Sequence, residues 1–154
     1  MPDVNRASFT ADGFFRTGDI MLARRIGGHP CYAFEGRIKD NIDRGGEKFG
    51  AEEVEALIVS HPAVNDARVV SMPDPMLGER ACAFLIVKAG QPCPTVGSLG
   101  AFLHGKGLAK FKLPERIETI AEFPVTRVGK VDKQALRQMI AARVGSEAAL
   151  RNAS

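Results

Sequence analysis

Apolar residues follow a helical spacing from about residue 53. Val54, Leu57 and Ile58 lie at i, i+3 and i+4, which is one face of a helix. Glutamates crowd the first turn of this segment, where the helix dipole favours negative charge. His61 and Pro62 follow, so the pattern predicts a helix that ends before them.

Two runs rich in apolar residues, both after this helix, predict strands. Residues 67–72 form the first run, closed by Pro73, and residues 81–87 form the second. The second run is apolar throughout, which predicts a central strand. Residues 73–80 between them predict a loop, and residues 117–120 predict a further short strand.

Two later helices are predicted from their caps and apolar faces. Thr95 is suited to cap a helix, and Asp132 to cap the last one. Gly145 suits the C-terminal stop of the last helix, so residues 146–154 are expected to fray. The apolar faces are Leu99, Phe102 and Leu103 in the first of these helices, and Leu136, Met139, Ile140 and Val144 in the second.

The first 36 residues lack a helical period. Residues 14–22 predict a strand interrupted by a turn, residues 25–30 a loop, and residues 31–34 a returning strand. The whole pattern predicts an α+β fold, in which helices flank a small antiparallel sheet that is preceded by a β-hairpin.

Composition narrows the class of protein. Of 154 residues, 45% are hydrophobic and 25% are charged, as in an ordinary globular domain. The net charge of +3 is too balanced to indicate a nucleic-acid partner, and no apolar run approaches the roughly 20 residues of a membrane helix. Without a signal-peptide pattern, we expect a cytoplasmic protein.

The cysteine and histidine positions give little support for a metal site or for disulfide bonds. The three cysteines, Cys31, Cys82 and Cys93, are odd in number and form no C-x-x-C pair. The three histidines lack metal-ligand spacing, so no metal ligand is predicted.

Two glycine-rich basic segments, residues 36–50 and 124–131, are the remaining candidates for chemistry. Gly45 and Gly46 would let the backbone approach a ligand closely, with basic side chains beside them for phosphates. A solvated turn explains the same residues. Lys130, beside Gly129, is by itself an ordinary surface lysine of a hairpin tip.

Taken together, these segments resemble the adenylate-forming enzymes, which include acyl-CoA synthetases, aryl-acid AMP ligases and luciferases. The motifs are FRTGD (15–19), GRIKD (36–40), RGGEK (44–48) and PxTxxGKV (124–131). The aryl-acid branch, which contains 2,3-dihydroxybenzoate–AMP and salicylate–AMP ligases, is favoured by NIDRGGEK (41–48), HPAV (61–64), MPD (72–74) and LGER (77–80).

The resemblance implies a reaction and its residues. A carboxylic acid, presumed aromatic from the branch, would react with ATP and magnesium to give an acyl-adenylate. The acyl group would then pass to a thiol of coenzyme A or of a carrier protein's phosphopantetheine. Asp19 would hold the ribose hydroxyls of ATP, Arg37 would contact the nucleotide, and Lys130 would serve adenylation.

The resemblance also implies a rotation of the small domain between the half-reactions. Lys39 matches the hinge, and rotation would withdraw Lys130 and turn Arg44, Gly45, Gly46 and Glu47 towards the thiol tunnel. Lys48, Lys110 and Lys112 are candidates for contacts with CoA phosphates or an acidic acyl or aryl carrier protein.

The resemblance divides the chain into four parts. Residues 1–36 match the tail of the large N-terminal domain, 37–40 the hinge, 41–145 the small domain, and 146–154 a frayed tail. By this resemblance, the phosphate loop, the magnesium ligands and the acid pocket would belong to the missing large domain.

The chain is therefore expected to be inactive alone, with that large domain as its first partner. A non-catalytic module or remnant that docks on a separate large domain or a carrier protein is the alternative. A free-standing nucleotide-binding protein is disfavoured, because Asp19 and Lys130 alone make no enclosed pocket.

Overall fold

A computed structural model describes residues 6–152 and divides them into two compact units, with the boundary between Asp40 and Asn41. The first unit contains an antiparallel hairpin of β1 (Asp19–Ile26) and β2 (His29–Arg37), followed by a 3₁₀ turn, Ile38–Asp40.

The hairpin corrects two predictions for the first 36 residues. Residues 25–30 are not a loop, because Ile26 pairs with His29 and only Gly27 and Gly28 form the turn. Both glycines have positive φ (58° and 86°), as a two-residue type I′ turn requires. The predicted strand at residues 14–22 begins only at Asp19.

The second unit is a five-stranded sheet with helices on both faces. The strands run in the order β4-β3-β6-β5, and β7 pairs with β6. These pairs are antiparallel, except that β7 runs parallel to β6. The elements are β3 (Asn41–Arg44), β4 (Glu47–Gly50), α1 (Ala51–Val59), β5 (Val64–Asp74), β6 (Gly78–Val87), α2 (Val96–Gly105), a 3₁₀ turn (Lys110–Lys112), β7 (Arg116–Thr119) and α3 (Lys133–Asn152). The predicted fold class is confirmed.

The central strand β6 is buried on both faces, which explains its unbroken apolar sequence. Ala81, Ala83 and Leu85 face the core that contains residues of α1 and α2, and Cys82 and Phe84 face the core beneath α3. Successive side chains of a strand point to opposite faces, so a strand between two helical layers needs apolar residues at every position. The prediction of a central strand is confirmed.

The connection between β5 and β6 is shorter than the loop predicted at residues 73–80. Asp74 pairs with Gly78, so the turn contains only residues 75–77. Asp74 Oδ1 accepts hydrogen bonds from the amides of Met76 (3.0 Å) and Leu77 (2.9 Å). These hydrogen bonds hold the pKa of the Asp74 carboxyl below its ordinary value, and the bond from the Leu77 amide has the largest effect. The positive charge of Arg80 lowers the pKa further.

Both predicted caps are present. Thr95 and Ser98 form a capping box at the start of α2. Asp132 Oδ1 accepts a hydrogen bond from the amide of Ala135 (3.0 Å), which caps α3.

The predicted stop of the last helix at Gly145 is wrong. α3 continues through Gly145 to Asn152, so the expected frayed tail is helical up to that residue, and residues 153–154 lie outside the described range. Arg116 of β7 donates two hydrogen bonds to the carboxylate of Glu147 (2.8 and 2.6 Å). A glycine inside a helix costs only about 1 kcal/mol relative to alanine. The bidentate contact between Arg116 and Glu147 favours the longer helix.

No helix in residues 6–152 is both long and apolar enough to cross a membrane.

Candidate functional site

Lys130 lies on a tight turn that leads directly into α3. Val125 and Val131 form an antiparallel bridge, and the amide of Thr126 donates to the Lys130 carbonyl (2.7 Å). Gly129 has a φ of 77°, which only glycine adopts without strain. The Lys130 side chain is exposed. A backbone closed by hydrogen bonds therefore presents a long, exposed cation.

The base of this turn is joined to the cap of α3. The amide of Asp132 donates to the Pro124 carbonyl (2.7 Å), and the side chain of Asp132 caps the helix. The position of the Lys130 turn therefore depends on how the first turn of α3 is held.

The second glycine-rich segment forms the turn of the β3–β4 hairpin. Gly45 and Gly46 have φ values of 62° and 98°, so this is another two-residue turn that requires glycine. The Gly45 amide donates to the Leu77 carbonyl (2.9 Å), and the Gly46 amide donates to Asp43 Oδ1 (2.8 Å). The β5–β6 turn thus holds the β3–β4 turn in place.

We expect Gly45→Ala to destabilise the second unit by two separate effects. The positive φ costs about 1–2 kcal/mol for a residue with a Cβ. The new Cβ would also lie 3.1 Å from Leu77 Cδ2, and moving that side chain off its rotamer costs about 0.5–1.5 kcal/mol. Urea unfolding followed by far-UV circular dichroism measures the sum. In a Leu77→Ala background only the backbone cost should remain, and an equal loss in both backgrounds would refute the contact.

Arg44 is anchored by an acidic residue that no sequence motif indicated. Its Nη2 lies 2.8 Å from Glu115 Oε1, and its Nε lies 3.4 Å from Glu115 Oε2. The hydrogen bond to Glu115 raises the pKa of Arg44 above its ordinary value. Arg80 contacts the same carboxylate (3.5 Å) and also Asp74 (2.6 Å). Arg44 therefore ties the glycine turn to the sheet, while Glu47 beyond the turn is exposed.

Asp19 and Arg37 face each other across the open end of the first hairpin. They are register partners, and Arg37 Nε lies 3.3 Å from Asp19 Oδ1. The Asp19 amide donates to Thr17 Oγ1 (3.1 Å). The two residues predicted to contact the nucleotide thus lie side by side, as a carboxylate next to a guanidinium.

Lys39 is an exposed residue of the 3₁₀ turn Ile38–Asp40, the last element of the first unit. Its place next to the unit boundary suits the predicted hinge, which stays a prediction.

The three predicted CoA or carrier contacts differ in their surroundings. Lys48 is exposed and lies 3.4 Å from Asp43 on the opposite strand. Lys110 is exposed on its 3₁₀ turn. Lys112 lies 2.5 Å from Glu53, and only 22% of its side chain is exposed. Lys48 and Lys110 are therefore more accessible to a partner than Lys112.

The predicted residues fall into both units. Asp19, Arg37 and Lys39 belong to the first, and the Lys130 turn and the Gly45–Gly46 turn belong to the second. The structure adds Leu77 and Glu115 as supports of the glycine turn. Glu115 is 71 residues from Arg44, so no local pattern could have indicated it.

The thiols are unpaired, and burial raises the pKa of Cys82 to about 12. Burial also raises the pKa of Cys93. Neither environment activates a nucleophile. Among residues 6–152, no group of three His, Cys, Asp or Glu side chains is arranged to hold a metal ion.

Much of the second unit matches a known protein family. Residues 53–130 match the family described as the AMP-binding enzyme C-terminal domain. The 2,3-dihydroxybenzoate-AMP ligase of Bacillus subtilis (strain 168) is 52% identical over 140 residues, covering 91% of this chain and 25% of that protein. Enterobactin synthase component E of Escherichia coli (strain K12) is 45% identical over 145 residues, covering 94% of this chain and 26% of that protein.

Solved structures give a similar result. The ATP-bound crystal structure of MatB from Rhodopseudomonas palustris superimposes with a TM-score of 0.77 at 30% identity, covering 90% of this chain and 27% of that one. The chain thus spans about a quarter of the length of the curated relatives it matches.

Proposed function

The chain belongs to the family of AMP-binding enzyme C-terminal domains, and we propose from this premise that it provides the mobile small domain of an AMP-forming aryl-acid ligase. The observation that carries the proposal is the exposed Lys130 on a hydrogen-bonded turn at the start of α3. The name of one relative, 2,3-dihydroxybenzoate-AMP ligase, supports an aromatic acid as substrate.

In the first half-reaction, an oxygen of the substrate carboxylate attacks the α-phosphorus of ATP. A bond forms between that oxygen and phosphorus, the bond to the β-phosphate oxygen breaks, and pyrophosphate leaves. Negative charge accumulates on the α-phosphoryl oxygens during the attack. The Lys130 ammonium stabilises that charge and draws the two anions together.

Asp19 and Arg37 orient the nucleotide in this proposal. The Asp19 carboxylate accepts hydrogen bonds from the ribose hydroxyls, and the neighbouring guanidinium of Arg37 contacts the ribose and phosphate region. The resemblance assigns the magnesium ligands and the acid pocket to the large domain, so we assign neither to residues of this chain.

In the second half-reaction, a thiolate sulfur attacks the acyl carbonyl carbon, a thioester forms, and AMP leaves. We propose that rotation about Lys39 withdraws Lys130 and brings the Gly45–Gly46 turn to the thiol entrance. The bare backbone of that turn leaves room for the narrow pantetheine chain. Lys48 and Lys110 offer exposed cations for CoA phosphates or for an acidic carrier protein.

A chimera tests the proposal. This chain would replace the matching quarter of the Bacillus subtilis ligase, with that enzyme lacking this quarter as the control. We expect ATP–pyrophosphate exchange with 2,3-dihydroxybenzoate in the chimera and none in the control or in this chain alone, because positioning needs both walls of the cleft. Salicylate and benzoate serve as further acids.

The opposite result is equally informative. A chimera that gives the circular dichroism spectrum and cooperative unfolding of a folded protein, yet no exchange, would contradict a working small domain. The non-catalytic docking module would then be the better description. Exchange by this chain alone would contradict its dependence on a large domain.

A further inference from the structure

A largely buried ion pair joins the start of α3 to α1. Lys133 Nζ lies 2.9 Å from Glu55 Oε1, and only 14% and 12% of the two side chains are exposed. The Lys133 ammonium donates no hydrogen bond of good geometry within the described residues, and the Glu55 carboxylate balances its charge as an ion-pair partner. A buried charge without a partner is costly, so the contact is strongly held.

The same carboxylate oxygen is fixed by the sheet. Glu55 Oε1 accepts a hydrogen bond from the backbone amide of Val69 (2.7 Å). In the described part of the chain, β5 pairs only with β6, so Val69 offers its amide on the open edge of the sheet. Glu55 therefore connects three elements, α1, β5 and α3, at one point.

This point lies three residues after Lys130. Lys133 is the first residue of α3, and Asp132 before it caps the helix and donates its amide to Pro124 at the base of the Lys130 turn. The deeper apolar anchors of α3, Leu136 and Ile140, begin one turn later. Val131, next to Lys130, packs against the same apolar core. The Glu55 carboxylate adds an ionic contact between the first residue of α3 and the body of the domain.

We propose that Glu55 and Lys133 are positioning residues for Lys130: their largely buried pair fixes the first turn of α3 and, through Asp132 and Pro124, the turn that carries the Lys130 ammonium. This role rests on the proposed function of Lys130. The effect of the pair on the stability of the Lys130 turn is measurable without any catalysis.

Amide hydrogen exchange of the whole 154-residue chain, followed by NMR, tests this effect. The reporters are the amides of Thr126, Gly129, Lys130 and Asp132, which close the turn. The reference amides are those of Gly45 and Gly46, which close the other glycine turn. We expect Glu55→Gln and Lys133→Met each to accelerate exchange of the reporters by at least about tenfold, equivalent to about 1.4 kcal/mol. The reference amides should change less than about twofold.

Three further variants separate positioning from general stability. Lys133→Arg keeps the charge and should leave the reporters within about threefold of the unchanged chain. The double variant Glu55→Gln/Lys133→Met leaves no buried charge unpaired, so it should fold while its reporters exchange as fast as in the single variants. Glu53→Gln, on the same helix but half exposed in its pair with Lys112, should leave the reporters unchanged.

The inference is overturned if reporters and reference amides accelerate together, because the pair would then be a general stabiliser. It is also overturned if the reporters do not respond in the double variant. Failure of pyrophosphate exchange in the chimera, with these reporters behaving as expected, would instead refute the role of Lys130 and leave the positioning contact intact.

Discussion

Adenylate formation by the chimera should fall by about 10²–10³-fold when Lys130 is replaced by alanine, the loss found when one preorganised donor to a developing oxyanion is removed. The exposed ammonium has few intramolecular contacts to lose, so the free energy of unfolding should change by less than about 0.5 kcal/mol. Pyrophosphate exchange measures the first half-reaction directly. The loss should appear mainly in kcat, because in the proposed mechanism Lys130 stabilises charge that develops in the transition state.

Two comparisons make this result specific. Arg127→Ala removes another exposed cation from the same turn and should leave exchange within about threefold of the unaltered chimera. Thioester formation from a chemically prepared acyl-adenylate should be much less affected by Lys130→Ala than exchange is, because the proposed rotation withdraws Lys130 in that step. Equal losses in both half-reactions would assign Lys130 to general binding of the nucleotide.

The largest effect on stability is expected from Phe84→Ala. Phe84 is 1% exposed on the central strand and belongs to the core beneath α3, with Leu136 and Ile140 of that helix. Truncation of a buried phenylalanine costs about 3–5 kcal/mol, through lost burial and the cavity left behind. The chain contains no tryptophan, so urea unfolding is best followed by far-UV circular dichroism.

An exposed apolar residue serves as the comparison for Phe84. Met76 is 86% exposed on the β5–β6 turn, and Met76→Ala should change the free energy of unfolding by less than about 0.5 kcal/mol. A loss below about 1 kcal/mol for Phe84→Ala would mean that the core between β6 and α3 collapses around the missing ring or is not closely packed.

Structural features that depend on residues close together in the chain were predicted correctly. The apolar spacing of Val54, Leu57 and Ile58 gave α1, and Thr95 and Asp132 cap the helices that follow them. The fold class was also predicted, because strand and helix periods alone indicate which faces must be buried. Four linked motifs, of which the segment around Lys130 is one, indicated the family only when taken together.

The errors have a common origin in contacts between distant residues. Gly145 is a sound local stop signal, yet α3 passes through it, because Arg116 holds Glu147 across 31 residues of sequence. The segment 25–30 contains loop-forming residues, yet it is mostly strand, because cross-strand pairing continues up to Gly27 and Gly28. In both places tertiary pairing outweighed local preference.

The sequence by itself determined the family, the order of the main helices and strands of the second unit, and the two glycine turns, since each depends on residues close together in the chain. Only the tertiary structure revealed what holds those turns. Glu115 anchors Arg44 across 71 residues, and Glu55 meets Lys133 beside the Lys130 turn. Such partners are chosen when helices and strands pack, and packing brings together side chains whose separation along the chain carries no periodic signal.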